Sequence, residues 1–393
     1  PVVYRGVMYI NGPDRVVALD AATGNLIWEA KYKLNEKTAS LPAGRSRGSV
    51  VVYDGKVYHA LADGRVVALD ARTGKEVWST QVGQIEYGEG FSTGPIFAGG
   101  KIIVGPSGAD AGGVPGRIVA LDPETGKVLW TFNTVPKPGE PGFETWDPPS
   151  AAEWGGGSAW NAGAYDPETR TLIYGIGQPI PWYAKGYRRG ANLYTASWVA
   201  LDVDTGKLKW YYQVVPNDEW DLDQIATPTI ATLRIDGQSR RVALLPTTTG
   251  FLLVFDVQSG QMLKWYQMMP EVTIHKGFTP DGKPIIDDGM RYENPGDTRL
   301  VCAFRWVDYE PAAFSPDTGL YYRPNVYDCQ NLKNSPPPAD WKPGQNPINA
   351  EFQALPDRFS RYGALSAIDP ATGKVVWEFG YGYQNRAGPV VTA

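Results

Sequence analysis

An all-β fold, a β-propeller built of four-stranded blades, is what this sequence predicts. Two observations carry the prediction: one hairpin motif occurs six times, and no helical apolar stripe of useful length occurs anywhere. The copies read VVALDAATGNLIW at 16–28, VVALDARTGKEVW at 66–78, IVALDPETGKVLW at 118–130, WVALDVDTGKLKW at 198–210 and LSAIDPATGKVVW at 365–377. A further copy, LLVFDVQSGQMLKW at 252–265, reads as carrying one inserted residue. Each is an apolar run, an Asp, a Thr-Gly or Ser-Gly turn, a second short run and a Trp. The Gly supplies the positive φ of a tight hairpin, and the flanking β-branched residues prefer a pleated surface. The Trp is read as a packing indole between neighbouring blades, because a repeat requires a repeated contact.

The spacing of the motif aspartates is uneven. Asp20, Asp70 and Asp122 lie about one blade apart, but the gaps before Asp202 and Asp369 exceed the roughly 40–45 residues of an ordinary blade. Those stretches hold what reads as extra strand material, TLIYGIG at 171–177 and GLYYRP at 319–324, and Pro- and Gly-rich loops at 134–157 and 331–348. Long loops on a rigid β scaffold are where function concentrates, which directs attention to 134–190 and 266–362. The first residues already read as a strand and the last as the start of another. An open arc would leave sheet edges exposed. The expected organisation is one propeller domain over 1–393, six blades of a larger ring, truncated at both ends.

Composition narrows the function classes. A formal net charge of −5 with 20% charged residues disfavours nucleic acid as a partner. No apolar run reaches membrane-spanning length. With two His in the chain, His-based zinc sites and Ser-His-Asp triads are poorly supported. The 14 Trp and 22 Tyr suit an aromatic-rich propeller or a pocket that stacks a flat ligand. Cys302 and Cys329 are either two buried thiols or, in an oxidising compartment, a disulfide; the turn-rich sequence around both favours the disulfide.

Three segments place acidic or amide residues among glycines and aromatics. In GPSGADAGG at 105–113, Asp110 is a turn residue or a ligand. In the segment 153–182, a triple Gly admits close approach of a backbone or a ligand, and Trp160 offers a flat face or one more packing aromatic. In VVPNDEWDLDQ at 214–224, Asp218, Glu219, Asp221 and Asp223 put four carboxylates into six residues. Such a cluster is either solvated or neutralised by a cation, and residues 221 and 223 point the same way if the segment is extended. Carboxylate and amide oxygens suit a hard ion, Ca²⁺-like or larger and more highly charged, better than zinc.

At these residues the chain resembles the pyrroloquinoline quinone (PQQ)-dependent alcohol dehydrogenases of the methanol dehydrogenase type, eight-bladed periplasmic propellers. The specific matches are SGAD at 107–110, Trp160 with YDPETRTLIYGIG, and DEWDLD at 218–223. The resemblance implies that Trp160 stacks on one face of the quinone, that Arg47 binds a quinone carboxylate or carbonyl, and that Ser92 and Ser107 donate further hydrogen bonds. Asp110 falls where the family has a metal-binding Glu and Gln178 where it has a metal-binding Asn. Asp221 falls on the catalytic base, itself beside the metal. Asp223 falls where lanthanide-dependent members carry an additional acidic ligand, so the implied ion is a lanthanide in preference to calcium. The implied reaction is hydride transfer from a small primary alcohol to a metal-polarised quinone while Asp221 takes the hydroxyl proton. A periplasmic location and a cytochrome c as electron acceptor follow from the same resemblance. No CxxCH haem motif occurs in the chain, and no feature of the sequence encodes its oligomeric state.

The chain also departs from the family pattern. ASLPAGRSRG at 39–48 lacks the adjacent cysteines that many members place on the second quinone face. TTTG at 247–250 puts Thr248 where the family has a basic residue, and Asp308-Tyr309 stands where it has an Asn-Trp pair. Propellers with the same blade motif also serve as protein-binding scaffolds in the cell envelope, without a quinone. The joint presence of Asp110, Gln178, Asp221, Asp223 and Trp160 favours the enzyme over that scaffold, and over a member that has lost its cofactor.

Overall fold

The Asp and Gly of each motif copy close the same turn by the same local chemistry. Asp20 Oδ1 accepts from the backbone N–H of Ala22 and Thr23 and from the Thr23 hydroxyl, at 2.8–3.1 Å. The arrangement recurs at Asp70, at Asp122 and, with Ser259 in place of Thr, at Asp256. The Gly that follows has φ between 69° and 75° in all six copies, the left-handed region that a Cβ disfavours. The computed structural model describes residues 1–40, 48–109, 113–304, 306–355, 358–384 and 387–392. Among these, six four-stranded antiparallel sheets follow one another, at 2–31, 51–81, 96–133, 164–213, 229–267 and 313–381, each with its strands in chain order.

The core lies in layers between successive sheets. The first layer sets Tyr9, Val16 and Trp28 against Val50, Val57 and Leu69, and four more layers repeat the pattern down the chain. The motif Trp docks each sheet on the next. Nε1 of Trp28, Trp78, Trp130 and Trp210 donates to the carbonyls of Ala71, Pro123, Val203 and Val257 at 2.9–3.0 Å. Each indole lies flat on the turn glycine of the following copy, where an added Cβ would come within 2.4–2.6 Å of the ring. A buried aromatic with its polar tip satisfied is the unit of inter-sheet adhesion here.

Two features depart from the sequence expectation. In the fifth copy, Trp265 does not dock. The strand register pairs Val254 with Lys264, so Lys264 stands where the other copies have Trp and no residue is inserted. Two residues on, and so on the same face, Tyr266 takes over: its hydroxyl donates to the Ala371 carbonyl at 2.6 Å, and Gly373 lies under its ring. Trp265 points to the opposite face, packs on Phe251 and Phe278, and stays 41% exposed. Second, TLIYGIG and GLYYRP are not extra material. They hold Thr171–Gly175 and Leu320–Val326, the second strands of the fourth and sixth sheets.

The added length goes elsewhere. It forms the loops at 134–163 and 176–196, a two-stranded sheet of His275–Phe278 and Pro284–Ile286, and a three-stranded sheet of Thr298–Cys302, Cys329–Ser335 and Asn349–Ala354. In the last of these Cys302 faces Cys329 directly and the two form a disulfide.

Antiparallel order fixes which loops share an end. The link between a sheet's second and third strands and the link from its fourth strand to the next sheet emerge on the same side. That side gathers the candidate residues.

Candidate functional site

Four successive sheets, the second to the fifth, contribute to one face. Ser92 lies between the second and third sheets, Ser107 on the third sheet's inner link, and Trp160 between the third and fourth. Gln178 lies on the fourth sheet's inner link, Asp221 and Asp223 between the fourth and fifth, and Thr248 on the fifth sheet's inner link. Arg47 and Asp110 lie outside the described residues.

Asp223 is the hub. Its Oδ2 accepts from Trp160 Nε1 at 2.7 Å, and its Oδ1 accepts from the backbone N–H of Gln178 at 2.6 Å. One buried carboxylate thereby fixes the plane of the Trp160 indole and the position of the Gln178 backbone. The Trp160 carbonyl accepts from Ser92 Oγ at 3.0 Å and Thr93 Oγ1 at 3.2 Å, so Ser92 acts as a tether between loops. Ser107 Oγ likewise donates to the Gly90 carbonyl at 3.1 Å. Asn161 Nδ2 donates to the carbonyls of Ile225, at 2.8 Å, and Tyr309, whose ring stands 6.3 Å from that of Trp160. Thr93 and Asn161 were not singled out in the sequence; their position beside Ser92 and Trp160 was the only signal.

The acidic cluster divides by role. Asp218 is buried and its two oxygens accept from the backbone N–H of Trp220 and Leu222 at 2.8 and 2.7 Å, which shapes the loop. Burial pushes its carboxyl up to about 6, against those two hydrogen bonds. Glu219 accepts from Arg291 Nη1 and from the Tyr292 N–H, both at 3.2 Å. The buried Arg188 guanidinium, pushed down to about 10 by burial, donates to the Asp218 carbonyl and to Asn217 Oδ1. Asp218 and Glu219 are therefore scaffold, which leaves Asp221 and Asp223 for the face. The loop is turned at this point, since Asp221 has φ of 65°, so the extended geometry expected for 221–223 does not hold.

The triple glycine serves backbone approach. The N–H of Gly157 donates to the Gln178 carbonyl at 2.8 Å and that of Gly156 to the Ala109 carbonyl at 3.2 Å. A Cβ on Gly156 would lie 2.6 Å from the Gln178 carbonyl oxygen, so only glycine lets these two loops meet. Thr248, where a basic residue is expected, is buried; its hydroxyl accepts from Gln224 Nε2 at 2.8 Å and its carbonyl from the Trp306 N–H. A buried cation lies in the sixth sheet, at the middle of its second strand. Arg323 is fully buried and none of its guanidinium nitrogens has a hydrogen-bond partner.

One observation tests whether a metal fits. Gln178 Oε1 is buried and has no hydrogen-bond partner, one residue's length from the backbone N–H that holds Asp223. An orphaned buried amide oxygen, on the residue whose backbone N–H is held by the buried Asp223, is the kind of donor a hard ion takes, and its cost would fall if one bound. Glu271 also lies within 4.8 Å of Cys302 and Cys329, but the two sulfurs are bonded to each other and supply no thiolate.

Known proteins share this plan. The family model described as PQQ glucose/ethanol/alcohol dehydrogenase, beta-propeller domain, matches residues 1–271. The quinoprotein alcohol dehydrogenase PedH of Pseudomonas putida is 33% identical over 96% of this chain and 66% of its own length. The quinohemoprotein alcohol dehydrogenase of Comamonas testosteroni is 35% identical over the whole chain and 59% of its own length. The lanthanide-dependent methanol dehydrogenase of Methylacidiphilum fumariolicum is 30% identical over the whole chain and 68% of its own length. Among solved structures, a europium-containing methanol dehydrogenase superposes with a TM-score of 0.93 at 28% identity, covering all of this chain and 72% of that one. The chain thus spans about three fifths to two thirds of the curated relatives it matches.

Proposed function

The chain belongs to the PQQ-dependent glucose/ethanol/alcohol dehydrogenase family, and from that premise we propose that it oxidises a small primary alcohol to the aldehyde at the face built around Asp223. The observation that carries the reading is the linkage of Trp160, Asp223 and Gln178, with the orphaned Gln178 Oε1 and with the buried Asp221 two residues before Asp223 in the same loop. In the same reading the six sheets are six blades of an eight-bladed ring forming one domain, the protein works in the periplasm, and a cytochrome c takes the electrons. The disulfide suits an oxidising compartment.

Trp160 would hold the quinone by its ring face, in a plane set by the bond from its Nε1 to Asp223. Arg47, Ser92 and Ser107 would hold its polar edge. Asp110, Gln178, Asp221 and Asp223 would hold the cation. When bound, PQQ supplies a two-electron acceptor and the cation a Lewis acid. Asp221 removes the alcohol hydroxyl proton as the carbinol C–H bond gives up its electron pair, so the substrate loses one proton and one hydride in all. Asp221 sits at a left-handed turn in a loop that Asp218 braces through the N–H groups of Trp220 and Leu222 and that Glu219 ties to Arg291, which holds the base in one position. Trp220, buried under the Arg291 guanidinium with Nε1 on the Met290 carbonyl, keeps that loop from collapsing.

The test is reconstitution with PQQ and either a light lanthanide or calcium, followed by absorbance beyond the aromatic band and alcohol-dependent dye reduction. Bound quinone and turnover of a primary alcohol are expected. A protein that binds no quinone under any metal would return the function to a scaffold of the envelope.

A further inference from the structure

The segment 336–348 leaves the three-stranded insertion of the sixth sheet and lands on loops of the second to fourth sheets. Trp341, half-buried, stacks on Trp154 with ring centroids 4.2 Å apart and planes at 18°. Trp154 in turn meets Tyr187 edge-on at 5.6 Å. Farther along, Gly344 lies so close to the Glu86 carbonyl that a Cβ there would sit 3.1 Å from its oxygen, and a Cβ on Gly113 would sit 2.9 Å from the Trp341 ring. The segment is stiffened from within: Trp341 Nε1 donates to the Gln345 carbonyl at 2.8 Å, and Gln345 Oε1 accepts from the Lys342 N–H at 2.9 Å. Its return strand is packed too, with Phe352 edge-on to Trp182 at 5.7 Å.

The segment starts and ends in the sixth sheet's inner link and lands on loops of the second to fourth sheets, all on the end of the molecule that carries Asp221, Asp223 and Gln178, so it crosses from one flank of the site-bearing loops to the other. Trp154 belongs to the loop whose glycines hold the Gln178 and Ala109 carbonyls. Tyr187 neighbours Arg188, which holds the start of the loop bearing Asp221. Trp154, Tyr187 and Trp341 thus present three half-exposed aromatic faces on the end of the molecule that carries the site.

We propose that this strap caps the substrate opening and that Trp341, clamped on Trp154, sets the largest alcohol the site admits. The proposal rests on the alcohol dehydrogenase reading above. A ring that must be displaced or removed before a bulky substrate fits is worth about 10- to 200-fold in discrimination, the range of pocket size selection. Short aliphatic alcohols pass beneath it; aryl-substituted alcohols collide with it.

The experiment compares the holoenzyme with W341A, W341L and W341F, reading kcat/KM for ethanol and for cinnamyl alcohol alongside quinone absorbance. Expected is unchanged bound quinone in all three and a cinnamyl-to-ethanol ratio raised about 10-fold or more in W341A and W341L. W341F, which keeps a ring on Trp154, stays within about threefold of the unaltered protein. An active W341A or W341L with the ratio unmoved would overturn the cap while leaving the dehydrogenase intact. Loaded, unaltered protein that oxidises neither alcohol would overturn the dehydrogenase reading and this one with it.

Discussion

Replacing Asp223 by Ala separates a lanthanide site from a calcium site. In the metal-free protein the change strands the buried N–H of Gln178, now held at 2.6 Å, at a cost of about 1–3 kcal/mol; water can reach the half-exposed Trp160 and replace its bond. In the metal-loaded protein a unit of ligand charge disappears. Its attraction for the ion scales with ionic charge, so a trivalent ion loses half again as much free energy as a divalent one. If calcium affinity falls about 100-fold, or ~2.7 kcal/mol, lanthanum affinity falls about 1000-fold, or ~4.1 kcal/mol. The assay is titration of PQQ-loaded, metal-free D223A with each ion, read by quinone absorbance and dye reduction, next to a thermal melt of the metal-free form. Equal loss for both ions would refute the charge argument. Calcium activity matching or exceeding lanthanide activity, untouched by D223A, would refute the lanthanide preference.

Acid sensitivity follows from two buried histidines, His59 and His275, whose burial lowers them to about 4 and about 3. The unfolded chain takes up a proton on each near pH 6.5 while the folded chain does not, so stability falls as pH drops from about 6.5 towards 4. Asp218, raised to about 6, opposes this by favouring the folded state below that pH, and the two histidines outweigh it. Urea unfolding at pH 5 against pH 7 is expected to show a net loss of about 2 kcal/mol, and a flat profile would remove the argument. For inter-sheet docking, G373A places a Cβ 2.2 Å from the Tyr266 ring, whereas G319A meets nothing within 4 Å at a similar φ of 70°. Both pay about 1 kcal/mol of backbone strain, and G373A adds about 1–3 kcal/mol; equal melts would deny Tyr266 its docking role. Arg323→Met removes a buried guanidinium without a hydrogen-bond partner, so stability is expected to hold or rise by about 1–4 kcal/mol, and a marked loss would reveal an ion pairing this arrangement lacks.

What could be read from the sequence follows the range of the interactions involved. The Asp and Gly of each turn act within five residues, so the hairpins and their repetition were legible. Tyr266 was not, because its role depends on the register of Phe251–Asp256 with Met262–Gln267, which puts Lys264 at the Trp position despite the Trp next to it. The four carboxylates at 218–223 were visible as a cluster, but sorting them required Arg188 and Arg291, the latter 72 residues from Glu219. The bond from Trp160 to Asp223 spans 63 residues and left no local trace, although both residues stood out by type. The strap was legible only as a Pro-rich loop, since nothing near Trp341 in the chain points to Trp154.

Turnover by Asp221→Asn, loaded with PQQ and metal, bears most directly on the chemistry. The amide keeps the size and one oxygen of the carboxylate but cannot take a proton. With PQQ and metal supplied at saturation and loading checked by quinone absorbance and metal content, alcohol oxidation is expected to fall by about 10²–10⁴-fold. Near-normal turnover with both cofactors in place would contradict Asp221 as the base.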